Sequence, residues 1–590
     1  MQGFIYFVKY AFIKQKGFLA LNLLKTLLTS LTPVLLIYVP KFIIDAAIGG
    51  DQRRAVAYAV IYVVAYLLLN TGASWLQYGA GIYSSKLFKA FEMDMAEKLL
   101  DADLGNLESS AFKEQRERAE KYIYADGYGF GYIFISAVEV IQLCITALSY
   151  IFIIFNFSPL LVLINLVFTI ISFRVGGNIK KLEKQDRDAQ IKHERRSSYY
   201  SNITSDHTFH KDIRIFSYKP SLLRKMAYHY DVNTRFYAKI NRRHAFSEML
   251  SNTFYAIQLG IGYAFIIALL IGRRISVGDF TLYVSALTMY ASLMGRILEK
   301  AVYVRSYDMY FHDFKEYINL QNMKGQSDVK VDRSALVSIE FKNVSFRYVG
   351  SEAYALKNVS IKISDSDRIA IVGENGSGKT TFVKLLMRLY DPTEGQILVN
   401  GVDIREYSYE DYIDIFSAVF QDYSLFATTI GENITMNDQL KVDDKFAGEL
   451  SEIGLLTKAI LSYPKHFETS VYKIFDDQGI EPSGGEGQQI AIARSLHKKA
   501  KINILDEPTA ALDPKIEYEI YQKYDAITRK NLSFFVSHRL GSCKFANRIL
   551  VFSDGRIIED GSHSELLRKN GVYSELYNYQ AALYSAADDE

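Results

Sequence analysis

The chain has 590 residues, and its 68 lysine and arginine residues nearly balance 66 aspartate and glutamate residues, giving a formal net charge of +2. This length exceeds that of one compact domain, and the balanced charge excludes an overall basic nucleic-acid-binding protein. Only two cysteines and nine prolines occur in a chain that is 49% hydrophobic, which excludes both a disulfide scaffold and a disordered polymer.

Residues 1–323 are predicted to form an all-α membrane domain with long cytoplasmic loops. Residues 140–173 contain no charged side chain and are interrupted at Pro159, which predicts two membrane helices joined by a tight turn. Four further apolar segments complete a prediction of six spans: residues 26–40, 55–85, 249–272 and 280–295, the last of which is the most polar.

The loops between these spans differ in length and charge. The connections at residues 86–131 and 174–248 are long and basic, so the positive-inside rule places them in the cytoplasm. An even number of spans then puts both termini and the whole second half there, which predicts a multi-pass protein of the cell membrane. Helical periodicity predicts long cytoplasmic helices, with docking segments at residues 108–116 and 209–214.

A few polar side chains lie in or close to the apolar segments. Glu139 directly precedes the charge-free stretch at residues 140–173, and an intramembrane carboxylate is a candidate functional group. Its predicted depth, about 25 Å from the outer turn, equally suits a carboxylate solvated at the inner interface. Four amides are candidate cavity residues or interhelical hydrogen-bond partners: Gln142, Asn165, Asn252 and Gln258.

Composition changes at a polar linker over residues 324–336, after which an α/β domain is predicted for residues 337–580, with a tail at 581–590. A strand at 368–372 is followed by a glycine-rich loop and an amphipathic helix through Leu389, which is the setting that a phosphate-binding P-loop requires. Lys379 would reach the β- and γ-phosphates, and the Thr380 hydroxyl would bind Mg²⁺. The loop comprises Gly373, Glu374, Asn375, Gly376, Ser377, Gly378, Lys379, Thr380 and Thr381.

A second apolar strand, at residues 502–507, ends in two carboxylates. Asp506 is predicted to hold Mg²⁺, and Glu507 is placed to polarise an attacking water. Asn503 is a polar residue inside this strand, where its burial is tolerated if the side chain meets a partner.

The segment between these two motifs resembles the signature motif of the ATP-binding cassette (ABC) family. The resemblance rests on Pro482, Ser483, Gly484, Gly485, Glu486, Gly487 and Gln488. Other positions resemble further elements of that family: Gln421 the Q-loop glutamine, Asp513 the D-loop aspartate, His538 the switch histidine, and Tyr348 the aromatic residue that stacks on adenine. With the P-loop and the carboxylate-ended strand, these elements stand in the family's order from residue 337 onward.

The resemblance implies a half-transporter of the ABC exporter type, in which two chains pair and each ATP lies between the P-loop of one cassette and the signature of the other. The implied catalytic residues are Glu507, His538 and Gln421, with Thr380, Gln421 and Asp506 around Mg²⁺. ATP would be held by Tyr348 and by the P-loop of one chain, and by Ser483, Gly484, Gly485 and Asp513 of the other. ATP binding and hydrolysis would then drive alternating access.

Two departures from the family pattern leave alternatives open. Pro482 stands where leucine is usual and Glu486 where glutamine is commoner, so a homodimer with a working site and a heterodimer with a paralogous half-transporter both remain hypotheses. The segment at residues 479–496 is similar to exporters of modified peptides and of drugs. This similarity favours export of a peptide or other amphipathic compound, against a lipid flippase, an importer or a nonhydrolytic channel.

Overall fold

The computed structural model describes residues 2–124, 129–320, 327–333, 337–452, 455, 463, 465–506, 522, 531–537, 543 and 545–587. Its contacts divide the chain into two units. One comprises Met1–Leu100 and Glu114–Leu320, and the other comprises Asp101–Lys113 and Gln321–Glu590. The second unit therefore includes a short piece of the first predicted cytoplasmic loop. Of the linker predicted at residues 324–336, the structure describes 327–333, and both ends lie outside the described residues, so that boundary stays a prediction.

The described residues of the first unit form helices joined by short connections. In chain order its helices are α1 (Gln2–Lys14), α2 (Lys16–Ile48), α3 (Gln52–Leu100), α5 (Ser110–Tyr124), which begins in the second unit, α6 (Gly129–Phe157), α7 (Pro159–Ser205), α8 (His210–Ile215), α9 (Lys219–Ile271) and α10 (Val277–Ile318). The predicted break at Pro159 is confirmed, since this residue occupies the first turn of α7. The predicted docking segment at 209–214 forms the short helix α8 at the tip between two helices of about 70 and 80 Å.

All six predicted spans lie on helices, and among the described residues four helices are long and apolar enough to cross a membrane. These are α2, α3, the Phe134–Asn156 part of α6, and α9. In the most apolar 18-residue stretch of α3 no residue is buried within the protein, and Leu68 is 69% exposed. Such a surface is stable only against lipid or another apolar partner, which makes the chain a membrane protein. The spans predicted on α7 and α10 stay predictions, because the apolar stretch described in α7 is Pro159–Phe168 and that of α10 is interrupted by polar side chains.

Polar contacts tie the end of α2 to the start of α10. Asp45 accepts hydrogen bonds from the Ser276 hydroxyl at 3.0 Å and from the Gly278 N–H at 3.2 Å. Lys41 forms an ion pair with Asp279 at 2.6 Å, and Asp279 also closes a capping box with Ser276. A Cβ at Gly278 would lie 2.2 Å from the Asp45 carboxylate, so this close approach requires glycine.

The second unit is built on two sheets that share one core. Its strands are β1 (Ile339–Phe346), β2 (Leu356–Ile363), β3 (Arg368–Gly373), β4 (Glu394–Val399), β5 (Val402–Asp403), β6 (Phe416–Val419), β7 (Ile502–Asp506), β8 (Leu532–Val536), β9 (Arg548–Ser553) and β10 (Arg556–Gly561). The antiparallel sheet has the order β2-β1-β4-β5, and the larger sheet has the order β10-β9-β3-β8-β7-β6, parallel except for β10. The strands β3, β7 and β8 are parallel and buried along nearly their whole length, so both of their faces are covered.

Helices surround these sheets. They are α4 (Leu104–Glu108), α11 (Lys379–Leu386), α12 (Tyr409–Asp414), α13 (Ile430–Thr435), α14 (Asp444–Glu452), α15 (Gly484–His497), α16 (His563–Lys569) and α17 (Val572–Ala587). The helix predicted to continue through Leu389 ends earlier, at Leu386. The reason is that Arg388 has φ of 53°, a left-handed conformation that a helix cannot include.

Candidate active site

The predicted P-loop lies between β3 and α11, as the strand–loop–helix pattern requires. Gly373 has φ of 145° and Gly378 has φ of 106°, conformations that L side chains rarely adopt. A Cβ on Gly373 would lie 2.2 Å from the Phe552 carbonyl of β9, so the start of the loop is pressed against the neighbouring strand. The loop ends at Gly378, the N-cap residue of α11, and the backbone N–H groups at such a helix start suit an anion.

Two side chains of this loop fit a phosphate. The Lys379 amine donates to the carbonyls of Gly373 and Glu374, both at 2.9 Å, so its charge is held inside the loop. The Ser377 hydroxyl is buried and has no hydrogen-bond partner among the described residues. A bound phosphate oxygen would satisfy this hydroxyl, and the residues present therefore fit a nucleotide.

The predicted aromatic residue lies beside this loop. The Tyr348 and Thr381 hydroxyls are 3.0 Å apart, and the ring of Tyr348 packs edge-on against Phe346, with centroids 4.9 Å apart. Tyr348 is thus anchored to α11 at its hydroxyl and to β1 at its ring, which leaves it at the P-loop where adenine stacking was predicted.

Strand order brings the other described candidates to the same edge of the large sheet. Asp506 ends β7 and pairs in register with Val536 of β8, which pairs with Ile371 of β3, two residues before the P-loop. Gln421 follows the neighbouring strand β6 by two residues. The carboxyl ends of parallel strands meet at one edge, so both side chains belong to the P-loop edge. Glu507, Asp513 and His538 lie outside the described residues.

The hydrogen-bond partner expected for the buried side-chain amide of Asn503 is absent among the described residues. Asn503 is 4% exposed, lies between Ser417 and Ser533 in register, and its Nδ2 atom has no acceptor among the described residues. The Ser417 hydroxyl instead donates to the Ser495 carbonyl of α15 at 2.7 Å.

The predicted signature motif forms the N-terminus of α15. Ser483 is the N-cap residue and forms a capping box with Glu486: its N–H and its hydroxyl donate to the Glu486 carboxylate at 2.8 and 2.7 Å. Ser483 and Gly484 are exposed, so the free N–H groups of this helix end face outward. The helix start thus offers a second anion site at the surface of the cassette.

Two tyrosines that sequence reasoning missed hold this motif. The Tyr463 hydroxyl donates to Glu486 at 2.9 Å, and the Tyr423 hydroxyl donates to the Gly484 carbonyl at 2.7 Å. Partial burial works to raise the pKa of Glu486, but the hydrogen bonds from Ser483 and Tyr463 outweigh it and lower that pKa. Glu486 is therefore a charged carboxylate at neutral pH.

Within one chain, the P-loop and the signature belong to different strands. The P-loop follows β3, whereas α15 packs on β6 through Ser417 and Ser495. In the order β3-β8-β7-β6 these strands are three positions apart, a separation of about 14 Å. One P-loop and one signature of the same chain thus do not converge on one phosphate group.

An apolar cavity of about 420 Å³ lies between β6, α13 and α15. Phe416, Phe420 and Met436 line it together with the aliphatic part of Arg494. The Arg494 guanidinium is held by the Asn433 and Ser424 carbonyls. The cavity is open, and its lining suits an apolar group.

In the membrane unit, the structure gives Glu139 a partner that the sequence did not indicate. Lys300 of α10 forms an ion pair with Glu139 of α6, with 2.9 Å between the Nζ and Oε2 atoms. Both side chains are partly buried, at 17% and 31% exposure. Of the four candidate amides, Gln258 is buried, Gln142 is half-buried and Asn252 is exposed, while the side chain of Asn165 lies outside the described set.

Comparison with known proteins agrees with this geometry. The family model described as "ABC transporter" matches residues 356–510. The subtilin transport ATP-binding protein SpaT of Bacillus subtilis is 29% identical over 93% of this chain and 90% of its own length. The nisin transport ATP-binding protein NisT of Lactococcus lactis is 26% identical over 97% and 95%. An ATP-dependent lipid A-core flippase of Cupriavidus metallidurans is 34% identical over 53% and 52%.

The fold also matches a solved structure. A bacterial Atm1-family ABC exporter with ATP bound superposes with a TM-score of 0.81, covering 96% of this chain and 98% of that one at 23% identity. A helical membrane domain followed by one nucleotide-binding α/β domain defines the exporter class of ABC transporters. Residues 356–510 of this chain thus match an ABC transporter domain, which is an ATP-hydrolysing domain. The chain as a whole has the fold of an ABC exporter.

Proposed function

We propose that the chain exports a peptide from the cytoplasm across the cell membrane, driven by ATP at a dimer of cassettes. The observation that carries this proposal is similarity over nearly the whole chain, membrane unit included, to proteins named for transport of subtilin and nisin. The flippase resemblance covers only about half of either chain and is therefore the weaker guide to substrate. Both termini and the cassette lie in the cytoplasm in this proposal.

Each residue at the P-loop edge has a role in this proposal. Lys379 and the loop N–H groups hold the phosphates, Tyr348 supports the adenine, and Glu507 orients and deprotonates the attacking water. His538 contacts the γ-phosphate. Thr380, Asp506 and Gln421 would hold Mg²⁺, which when bound neutralises charge on the β- and γ-phosphates.

The exposed signature implies a second cassette. Because the P-loop follows β3 and the signature helix packs on β6, two strands about 14 Å apart, a nucleotide sandwiched between the two motifs needs Ser483 and Gly484 of a partner. We favour a second copy of this chain, since each motif needed for hydrolysis has a match in this sequence.

The test is Mg-ATPase activity of the purified chain alone in lipid nanodiscs, followed by stimulation with candidate peptides. We expect clear activity, loss of turnover with retained ATP binding in Glu507→Gln, and loss of ATP binding in Lys379→Ala. A basic cationic peptide and a neutral lipid serve as the two substrate probes.

Wild-type turnover in Glu507→Gln would contradict the assignment of the base, and unaltered ATP affinity in Lys379→Ala would contradict the P-loop assignment. Stimulation by lipid alone, together with lipid translocation in vesicles, would replace the peptide proposal with a flippase. A folded chain that binds ATP but does not hydrolyse it would point to a paralogous partner.

A further inference from the structure

Tyr390 lies at a junction of three parts of the nucleotide-binding unit. Its ring is 8% exposed and meets the ring of Tyr348 edge-on, with centroids 5.4 Å apart and planes at 84°. The Lys384 amine of α11 lies 5.9 Å from the same ring centroid. Tyr390 therefore packs against both the predicted adenine platform and the helix that follows the P-loop.

The third part is the piece of the first cytoplasmic loop that belongs to this unit. The Tyr390 hydroxyl donates to the Glu108 carboxylate at the end of α4, with 2.5 Å between the oxygens. Gly105 of α4 also faces the ring, since a Cβ there would lie 3.6 Å from Tyr390 Cε1. Leu104 packs against the sheet core. The segment Asp101–Lys113 is thus seated on the cassette through Tyr390.

Together these contacts form a continuous chain of side chains. It runs from Glu108 to the Tyr390 hydroxyl, across the ring pair to Tyr348, and from the Tyr348 hydroxyl to Thr381 of the P-loop at 3.0 Å. The two ends are 273 positions apart in sequence, so only the fold brings them together.

We propose that Tyr390 and Glu108 are positioning residues that hold Tyr348 against the P-loop, so that nucleotide affinity depends on the seating of Asp101–Lys113. The proposal rests on the nucleotide site proposed above. Neither residue touches the nucleotide in it. They act through the orientation of Tyr348, and a first-loop segment that leaves its seat releases the aromatic platform.

The chemistry of the contacts from Glu108 through Tyr390 to Tyr348 favours a fixed orientation of the Tyr348 ring. An edge-to-face aromatic pair is favoured by its quadrupoles, and a hydrogen bond to a carboxylate is stronger than one between neutral groups. Burial, reinforced by the hydrogen bond and charge of Glu108, raises the pKa of Tyr390, so its hydroxyl stays a neutral donor. Removing either end of this hydrogen bond frees the ring of Tyr390 to shift, and Tyr348 loses its side support.

The test measures kcat and KM for Mg-ATP on the full chain in nanodiscs. Tyr390→Phe keeps the ring and removes the hydroxyl, Glu108→Ala removes the acceptor, and Glu108→Gln keeps an acceptor oxygen. Tyr354→Phe is the matched control, because Tyr354 forms a similar hydrogen bond with Glu394 at 2.8 Å on the cassette surface.

We expect Tyr390→Phe and Glu108→Ala each to raise KM about threefold to tenfold, with kcat within about twofold of wild type. The double variant should be no worse than either single one, because both remove the same hydrogen bond. Glu108→Gln should recover most of the affinity, and Tyr354→Phe should behave as wild type.

Wild-type KM in both single variants, while Tyr348→Ala raises KM, would overturn this inference and leave the nucleotide site standing. Additive losses in the double variant, or a fall in kcat alone, would also overturn it. If Tyr348→Ala leaves KM unchanged, the adenine platform is wrong and the proposal fails with it.

Discussion

Glu486 gives the signature site a negative charge that the commoner glutamine would not give it. In place of a neutral amide it brings a carboxylate that binds both the N–H and the hydroxyl of Ser483. The serine hydroxyl that should meet the partner's γ-phosphate is thus already donating to an anion. A phosphate arriving at this helix end must compete for that donor and approach a like charge.

We therefore predict that Glu486→Gln lowers the ATP concentration needed for half-maximal ATPase activity about threefold or more, because the repulsive charge is removed. Titration of ATP against the rate of phosphate release measures this. Glu565→Gln is the matched control, since Glu565 forms the same capping box with Ser562 at the start of α16. An equal change in both variants, or none in Glu486→Gln, would contradict the charge argument.

Among the elements, α6 and α10 depend on an ion pair that lies at the edge of an apolar region. Lys300 compensates Glu139, and neither charge is fully solvated. Breaking a partly buried pair from one side leaves an uncompensated charge, whereas removing both charges avoids that cost.

Lys300→Ala is accordingly predicted to lower the thermal inactivation midpoint by a few degrees, and the double variant Glu139→Gln with Lys300→Gln to lower it less. Loss of ATPase activity after heating in nanodiscs provides the measurement. A double variant less stable than Lys300→Ala would show that the pair stabilises the helices beyond mutual neutralisation.

The sequence was sufficient where the determinants are local. The P-loop, the β7 strand ending at Asp506 and the break at Pro159 each depend on a few consecutive residues, and each formed as predicted. The Ser483–Glu486 capping box was also readable from its spacing, although Glu486 drew attention only as a departure from glutamine. The partners of Tyr390 and Glu139 could not be read, because their contacts join segments far apart in the chain.

At the scale of the whole molecule, the separation of P-loop and signature within one chain makes the dimer the unit of function that we propose. Cysteine chemistry offers a direct test. Cys144 is the exposed cysteine, whereas Cys543 is fully buried and burial raises its pKa to about 12, so it reacts poorly. Replacing Cys144 by serine thus gives a chain without a readily reactive cysteine, to which new cysteines can be added.

In that background, with Glu507→Gln to retain ATP, chains carrying Asn375→Cys mixed with chains carrying Gly484→Cys should form ATP-dependent cross-linked dimers with a short bismaleimide. Both positions are exposed. A non-reducing gel reads the result, and either single variant alone should give no dimer band. Absence of the band in ATP-bound mixtures would favour a paralogous partner over a second copy.

The placement of Asp101–Lys113 in the nucleotide-binding unit has a practical consequence for protein production. A cassette expressed from the linker onward would lack a segment that covers part of its own surface. Leu104 would no longer shield the core, and Tyr390 would meet solvent with its hydroxyl acceptor gone. Such a fragment would expose a new apolar patch and tend to aggregate. A soluble truncated cassette would therefore need this segment supplied, for example as a fused peptide.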